Sequence, residues 1–145
     1  MPAGVMDSIH PLDRCDSRRP ICGIEIDALR MPEAVHAVQH WLRTSHEGLR
    51  YVNVDHAVLL ARNAEFLAAY HDAGLVLADG WPLVAASRLL GRPLPERVAG
   101  SDLAPQLFAA TQEEMKVFLL GAAPGVAPRA ATNIQTRWPQ IHIVG

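Results

Sequence analysis

LVLADGWPLV, residues 75–84, decides the fold. Its first four residues, Leu75 to Ala78, form an unbroken apolar run that ends in the acidic turn Asp79-Gly80. Pro82 then suits the first turn of a helix. An apolar run without alternation fits a strand buried on both faces, which is the situation of parallel sheets covered by helices. The flanking chain continues the pattern. YVNVDHAVLL (51–60) places a strand, Leu49 to Val54, ahead of a helix that Asp55 can cap, and Asn63 caps a further one running AEFLAAYHDA to Gly74. Downstream, a helix from Pro82 to Leu90 turns Val84, Ala85, Leu89 and Leu90 inward and stops at Gly91. RPLPERVAG (92–100) is a loop, and Ser101 or Asp102 caps a helix to about Gln112. Lys116 to Leu120 is a strand and Gly121 to Gly125 a turn. A helix then runs to Trp138, Pro139 ends it, and Ile141 to Val144 is a last strand. Upstream, ICGIEI (21–26) alternates as a strand, and beyond Pro32 the residues Ala34, Val35, Val38, Trp41 and Leu42 share one helical face. Strands alternating with helices predict an α/β fold with a mostly parallel sheet and right-handed crossovers.

A chain of 145 residues can bury one real core. Half the residues are hydrophobic and 19% are charged, which excludes a disordered chain. A net charge of −2 leaves no electrostatic footprint for nucleic acid. Cys15 and Cys22 make neither a disulfide framework nor a zinc spacing and read as ordinary cytosolic thiols. No apolar run approaches the roughly 20 residues that span a bilayer, and the polar N-terminus lacks a signal core. Residues 1–20 read as a flexible arm and 21–145 as one α/β domain. The chain stops on Gly145 directly after a strand, where a function-bearing loop normally follows. A C-terminally truncated domain is therefore expected.

Polar side chains collect where these strands stop, and in open α/β sheets ligands bind at that edge. Asp79 heads the list. A carboxylate at the tip of a buried strand is placed to act as a general base, and low-dielectric walls would raise its basicity. It could equally cap the next helix. Gly80 lets the chain turn sharply or a ligand approach closely. Asn53 offers an amide that donates and accepts, suited to a sugar hydroxyl, or else bonds local backbone. Tyr51 shares its face by period two, as core or as ligand contact. Arg97 can bind phosphate with its planar fork, or pair on the surface with Glu96 or Asp102. The turn Gly100-Ser101-Asp102 follows it. Gly121 to Gly125 opens a helix whose first N–H groups could meet a phosphate, although it is neither a Walker A loop nor a GxGxxG fingerprint. Asp55-His56 reads as a helix cap rather than an acid/base pair. His36 and His40 have metal-ligand spacing but no third ligand, and read as a solvated helix face. No nucleophile elbow or Cys/His frame points to covalent catalysis.

Together these residues resemble the WecG/TagA/CpsF family of glycosyltransferases. The resemblance covers about Ile21 to Gly145. It rests on Asn53-Val54-Asp55-His56, Leu77-Ala78-Asp79-Gly80, Arg88-Leu89-Leu90-Gly91-Arg92, Arg97 through Leu103, and Phe118 through Gly121 with Pro124-Gly125-Val126. It implies a Rossmann-like α/β enzyme that moves N-acetylmannosamine or a related hexose from a UDP donor to a polyprenyl-diphosphate-linked saccharide, for bacterial cell-surface polysaccharides. It implies an inverting mechanism with Asp79 as base and Asn53 and Arg97 in the pocket. The sequence has no Asp-x-Asp metal motif, so no metal or other cofactor is expected. It also implies a cytoplasmic protein held peripherally at the inner face of the membrane. Two departures stand out. Tyr51 replaces the family's usual Thr, and Trp81-Pro82 replaces commoner small or aliphatic residues. The family's C-terminal third, with a Pro-Lys-Gln-Glu motif and an Arg-rich appendage, has no counterpart before Gly145. Two rivals remain at this level: a non-catalytic module binding a nucleotide or phosphate through Gly121 to Gly125, or an inactive fragment, and a domain whose role is self-assembly into a homo-oligomer.

Overall fold

The hairpin that opens the fold is made by two residues in left-handed backbone. Cys22 (φ 53°) and Gly23 (φ 80°) form the tight turn between β1 (Arg18–Ile21) and β2 (Ile24–Asp27), which pair antiparallel with Ile21 opposite Ile24. Positive φ at both central residues is what a two-residue hairpin turn of matching twist requires. ICGIEI is thus a turn with the ends of two strands, not the single strand its alternation suggests. The structure, a computed structural model, describes residues 18–44, 49–52 and 54–145. They fall into two units, Met1–Leu103 and Ala104–Gly145.

In the first unit, α1 (Met31–Thr44) starts with one half of a capping box, in which the Arg30 N–H donates to Glu33 Oε2 at 2.6 Å. Ala34, Val35 and Ala37 are buried on it, whereas Leu42 points outward. β3 (Leu49–Val52) pairs parallel with β4 (Leu75–Ala78), Val52 opposite Ala78, so the two strands end level. Every residue of β4 is buried, as its unbroken apolar run requires. Between them lie α2 (Val54–Leu60) and α3 (Ala64–His71). Asn63 caps α3 by accepting the Phe66 N–H at 2.9 Å. α2 begins at Val54, one residue before Asp55, whose side chain lies outside the described residues.

One buried carboxylate ties the hairpin to the parallel pair. Asp27, 5% exposed, accepts the Val76 N–H at 2.8 Å on Oδ2 and the Arg18 Nε–H at 3.1 Å on Oδ1. A side chain here supplies what a ladder bond would supply. The isoleucines of the hairpin, Ile21, Ile24 and Ile26, share a core with Leu60, Tyr70, Val76, Leu83 and Leu94.

α4 (Trp81–Leu89) follows β4 and buries Leu83, Val84 and Ser87. Ala85, Leu89 and Leu90 face outward, contrary to the expected face, with Leu89 90% exposed. The burial of Ser87 explains the rotation. A serine is discounted in an apolar pattern, yet this hydroxyl is satisfied twice: it donates to Val84 O (2.7 Å) and accepts the Leu94 N–H (2.9 Å). Gly91 (φ 69°) closes the helix, with the Arg92 N–H bonded to Ser87 O and the Gly91 N–H to Arg88 O. Ser87→Ala is expected to lower unfolding free energy by roughly 1–3 kcal/mol, because the Leu94 N–H is left buried without an acceptor. An unchanged urea midpoint would contradict this role.

α5 (Gly100–Ala110) begins at Gly100, so Ser101 and Asp102 lie inside its first turn rather than capping it. The N–H groups of Asp102 and Leu103 both reach Ala99 O. In the second unit, β5 (Met115–Val117) and β6 (Ile141–Ile143) pair parallel, and α6 (Val126–Arg137) joins them as the crossover. The strand expected at Lys116 to Leu120 starts one residue earlier and ends at Val117, leaving Phe118 and Leu120 exposed. Gln140 Nε2 donates to Phe108 O and Thr111 O, closing the C-terminal end of α5, and the Phe108 and Trp138 rings meet edge to face. The architecture is therefore α/β with helices over parallel strand pairs. Among the described residues these pairs form small two-stranded sheets.

Candidate functional site

The candidate site lies where β4 stops. Asp79 is the first residue past the strand. Gly80 follows at φ 139°, ψ 137°, a conformation that only glycine takes easily, and turns the chain into α4. A Cβ on Gly80 would meet nothing nearer than Pro82 Cδ at 3.7 Å, so backbone conformation rather than crowding calls for glycine here.

The loop from Arg92 to Ala99 is fastened at three points. The Leu94 N–H reaches Ser87 Oγ, the Val98 N–H reaches Ala78 O at 2.9 Å, and Glu96 Oε1 accepts the Met31 N–H at the start of α1. Leu94, Val98 and Ala99 are buried. Burying a Leu or Val side chain is worth about 1.5–3 kcal/mol. An exposed ion pair contributes about 1 kcal/mol at most. Apolar burial and these backbone bonds, not salt bridges, therefore hold the loop in place.

Arg97 rides on that loop. The bond from Val98 to Ala78 sets Arg97 beside the strand end, where its Nη1 lies 3.5 Å from Asp79 Oδ1. Its Nη2 contacts Asp102 Oδ2 in the first turn of α5. The side chains of Asp79, Arg97 and Asp102 are 39%, 31% and 46% exposed. Asp79 is thus open to solvent and paired with a cation, rather than enclosed by the low-dielectric walls its place at the strand tip suggested. Arg97 pairs with Asp102, as one reading of the sequence had it, and with Asp79 in addition. Glu96, the other suggested partner, is engaged by the start of α1.

The fold thus brings Asp79, Gly80, Arg97, Gly100, Ser101 and Asp102 to one rim, with Ser101 exposed beside Asp102. Asn53 and the side chain of Tyr51 lie outside the described residues. The backbone of Tyr51 pairs with Leu77 in β3 and β4. Gly121 (φ 90°) and Gly125 (φ 81°) belong to the second unit, where Gly125 precedes α6 with no side-chain cap. His56 has a structural setting: its Nδ1 lies 2.8 Å from the buried Tyr70 hydroxyl, and its ring meets Phe66 edge-on, tying α2 to α3. Among the described residues no three His, Cys, Asp or Glu side chains converge to hold a metal. His36 is exposed on α1. The roles of three residues that matter here escaped the sequence: Ser87, Asp27 and Glu96, the last considered only as a partner for Arg97. Each works through a backbone N–H brought to it by folding, and composition carries no trace of that.

Comparison with known proteins gives a consistent result. The model of the glycosyl transferase WecG/TagA/CpsF family matches residues 19–145. An N-acetylglucosaminyldiphosphoundecaprenol N-acetyl-beta-D-mannosaminyltransferase of Bacillus spizizenii is 35% identical over 85 residues, covering 58% of this chain and 33% of the relative. A protein of the same name from Staphylococcus aureus (strain NCTC 8325) is 28% identical over 125 residues, 83% of this chain and 49% of the relative. The chain spans half or less of the length of these curated relatives. With a family match over nearly all of its described length, this chain belongs to the WecG/TagA/CpsF glycosyl transferase family.

Proposed function

We propose that this protein transfers N-acetylmannosamine or a related hexose from a UDP-sugar to a polyprenyl-diphosphate-linked saccharide. The observation that carries the reading is the approach of Arg97 Nη1 to Asp79 Oδ1, 3.5 Å apart at the end of β4, in a member of a glycosyl transferase family. The acceptor hydroxyl attacks the anomeric carbon of the donor. Its proton passes to a carboxylate oxygen of Asp79, the new glycosidic C–O bond forms, and the bond to the diphosphate breaks. The departing electron pair stays on the diphosphate oxygen. Displacement from the opposite face inverts the anomeric centre. Arg97 meets the charge gathering on UDP with a planar fork suited to phosphate oxygens, an electrostatic contribution that grows toward the transition state. Gly80, Gly100 and Ser101 line the same rim and admit ligand backbone contact.

The names of the relatives support an undecaprenyl-diphosphate-linked N-acetylglucosamine as acceptor, and cell-surface polysaccharide synthesis as the setting. Among the described residues no helix is long and apolar enough to cross a membrane. The exposed side chains of Trp81, Leu89 and Leu90 favour peripheral contact at the inner membrane face, where such a lipid-linked acceptor resides. The test is incubation of the full chain with UDP-N-acetylmannosamine and a short-chain lipid diphosphate bearing N-acetylglucosamine. A disaccharide product together with free UDP supports the reading. A folded chain that makes no product and releases no UDP contradicts it.

A further inference from the structure

Arg97 holds its two carboxylates unequally. Nη2 is in direct contact with Asp102 Oδ2. Nη1 stands 3.5 Å from Asp79 Oδ1, beyond the roughly 2.7–2.9 Å of a charge-assisted hydrogen bond. One arm of the fork is anchored and the other only lightly engaged. Glu96, the neighbouring carboxylate, does not compete, because it accepts the Met31 N–H. The backbone under Arg97 is fixed by the Val98 to Ala78 bond, but an arginine side chain has four further torsions to settle. Asp102 settles them from the first turn of α5, itself anchored by bonds to Ala99 O.

We infer that Asp102 is a positioning residue for Arg97: it anchors one arm of the guanidinium so that the other is presented, preset, to the diphosphate of a UDP ligand. This rests on the reading that Arg97 contacts the donor. A diphosphate carries more charge than one carboxylate and its oxygens can take Nη1 from Asp79 without disturbing Nη2. The guanidinium keeps its orientation while the ligand binds, so little rotamer freedom is lost at that moment. Asp79 is then released from the cation, free to accept the proton of the acceptor.

The test is UDP binding by calorimetry to the full chain and four variants: Asp102→Ala, Asp102→Asn, Arg97→Ala and the double variant Arg97→Ala with Asp102→Ala. Asp102→Ala is expected to weaken UDP about ten-fold or more through loss of a charge-assisted bond, with the melting temperature little changed. Asp102→Asn keeps an acceptor oxygen for Nη2 and restores most of the affinity. Arg97→Ala weakens binding, and Asp102→Ala adds nothing further on top of it, because Asp102 acts only through Arg97. Equal losses from Asp102→Ala in both backgrounds, no loss in either, or failure of Asn to restore binding would overturn the inference while leaving the donor site in place. Equal UDP affinity in the wild type and Arg97→Ala, or no UDP binding at all, would instead overturn the reading of Arg97 as a donor contact.

Discussion

Asp79→Asn is expected to cut transfer by about 10²–10⁴-fold in kcat, the range that a positioned general base supplies. UDP affinity and the melting temperature should change little. The substitution keeps the shape of the side chain and a hydrogen-bond acceptor, so the Gly80 turn and the start of α4 are preserved. What is lost is the capacity to take a proton from the acceptor hydroxyl. The ion pair with Arg97 is also lost, but both partners are about a third exposed, and such pairs contribute about 1 kcal/mol or less. A large fall in kcat with an intact melting curve therefore isolates chemistry from stability. Product formation at the wild-type rate would remove Asp79 from the reaction.

Asp27→Ala should produce the largest loss of stability of any single substitution in the first unit, about 3–5 kcal/mol. The carboxylate is buried and satisfies two donors from different parts of the chain, the Val76 N–H of β4 and the Arg18 guanidinium of β1. Truncation leaves an amide in the middle of a wholly buried strand with no partner for this bond, and a half-buried cation without its counter-charge. Domains of this size have roughly 5–15 kcal/mol of net stability, so the variant sits near the unfolding threshold. Asp27→Asn retains an oxygen for Val76 and should lose clearly less. Urea unfolding of the three proteins measures both. An alanine variant within about 1 kcal/mol of wild type would show that the carboxylate merely occupies the gap between β2 and β4.

The two predictions rest on residues that the sequence exposes very differently. Asp79 was legible because a run of four apolar residues ends on it and a glycine follows, a local signal of a strand tip. Its partner Arg97 was legible as a candidate but not as a pair, since the pairing depends on Val98 docking against Ala78 across nineteen intervening residues of helix and loop. Asp27 gave no signal. It reads as a turn residue between a strand and a helix, and only the arrival of Val76 from far along the chain makes it a clasp. The same limit explains the hairpin and α4. ICGIEI passes for one strand because apolar residues recur through it, yet the buried Ile21 and Ile24 are three apart, the phase shift that a two-residue turn introduces between facing strands. The inward face of α4 was misjudged because apolar pattern credits Leu89 and discounts Ser87, whereas the core accepts the serine with both of its hydrogen bonds made. The parallel strand pairs, the Asn63 cap and the Gly91 stop were local matters of periodicity and turn chemistry, and they stand as the sequence indicates.

The rim at the end of β4 is tested most directly by following the backbone amide resonances of the isotope-labelled chain as UDP is added. Asp79, Gly80, Val98, Ala99 and Ser101 are expected to shift together and saturate with a single affinity, and Arg97→Ala should abolish the response. Shifts confined to Gly121 through Val126, with residues 79–102 unmoved, would contradict the assignment and point instead to a phosphate held at the start of α6.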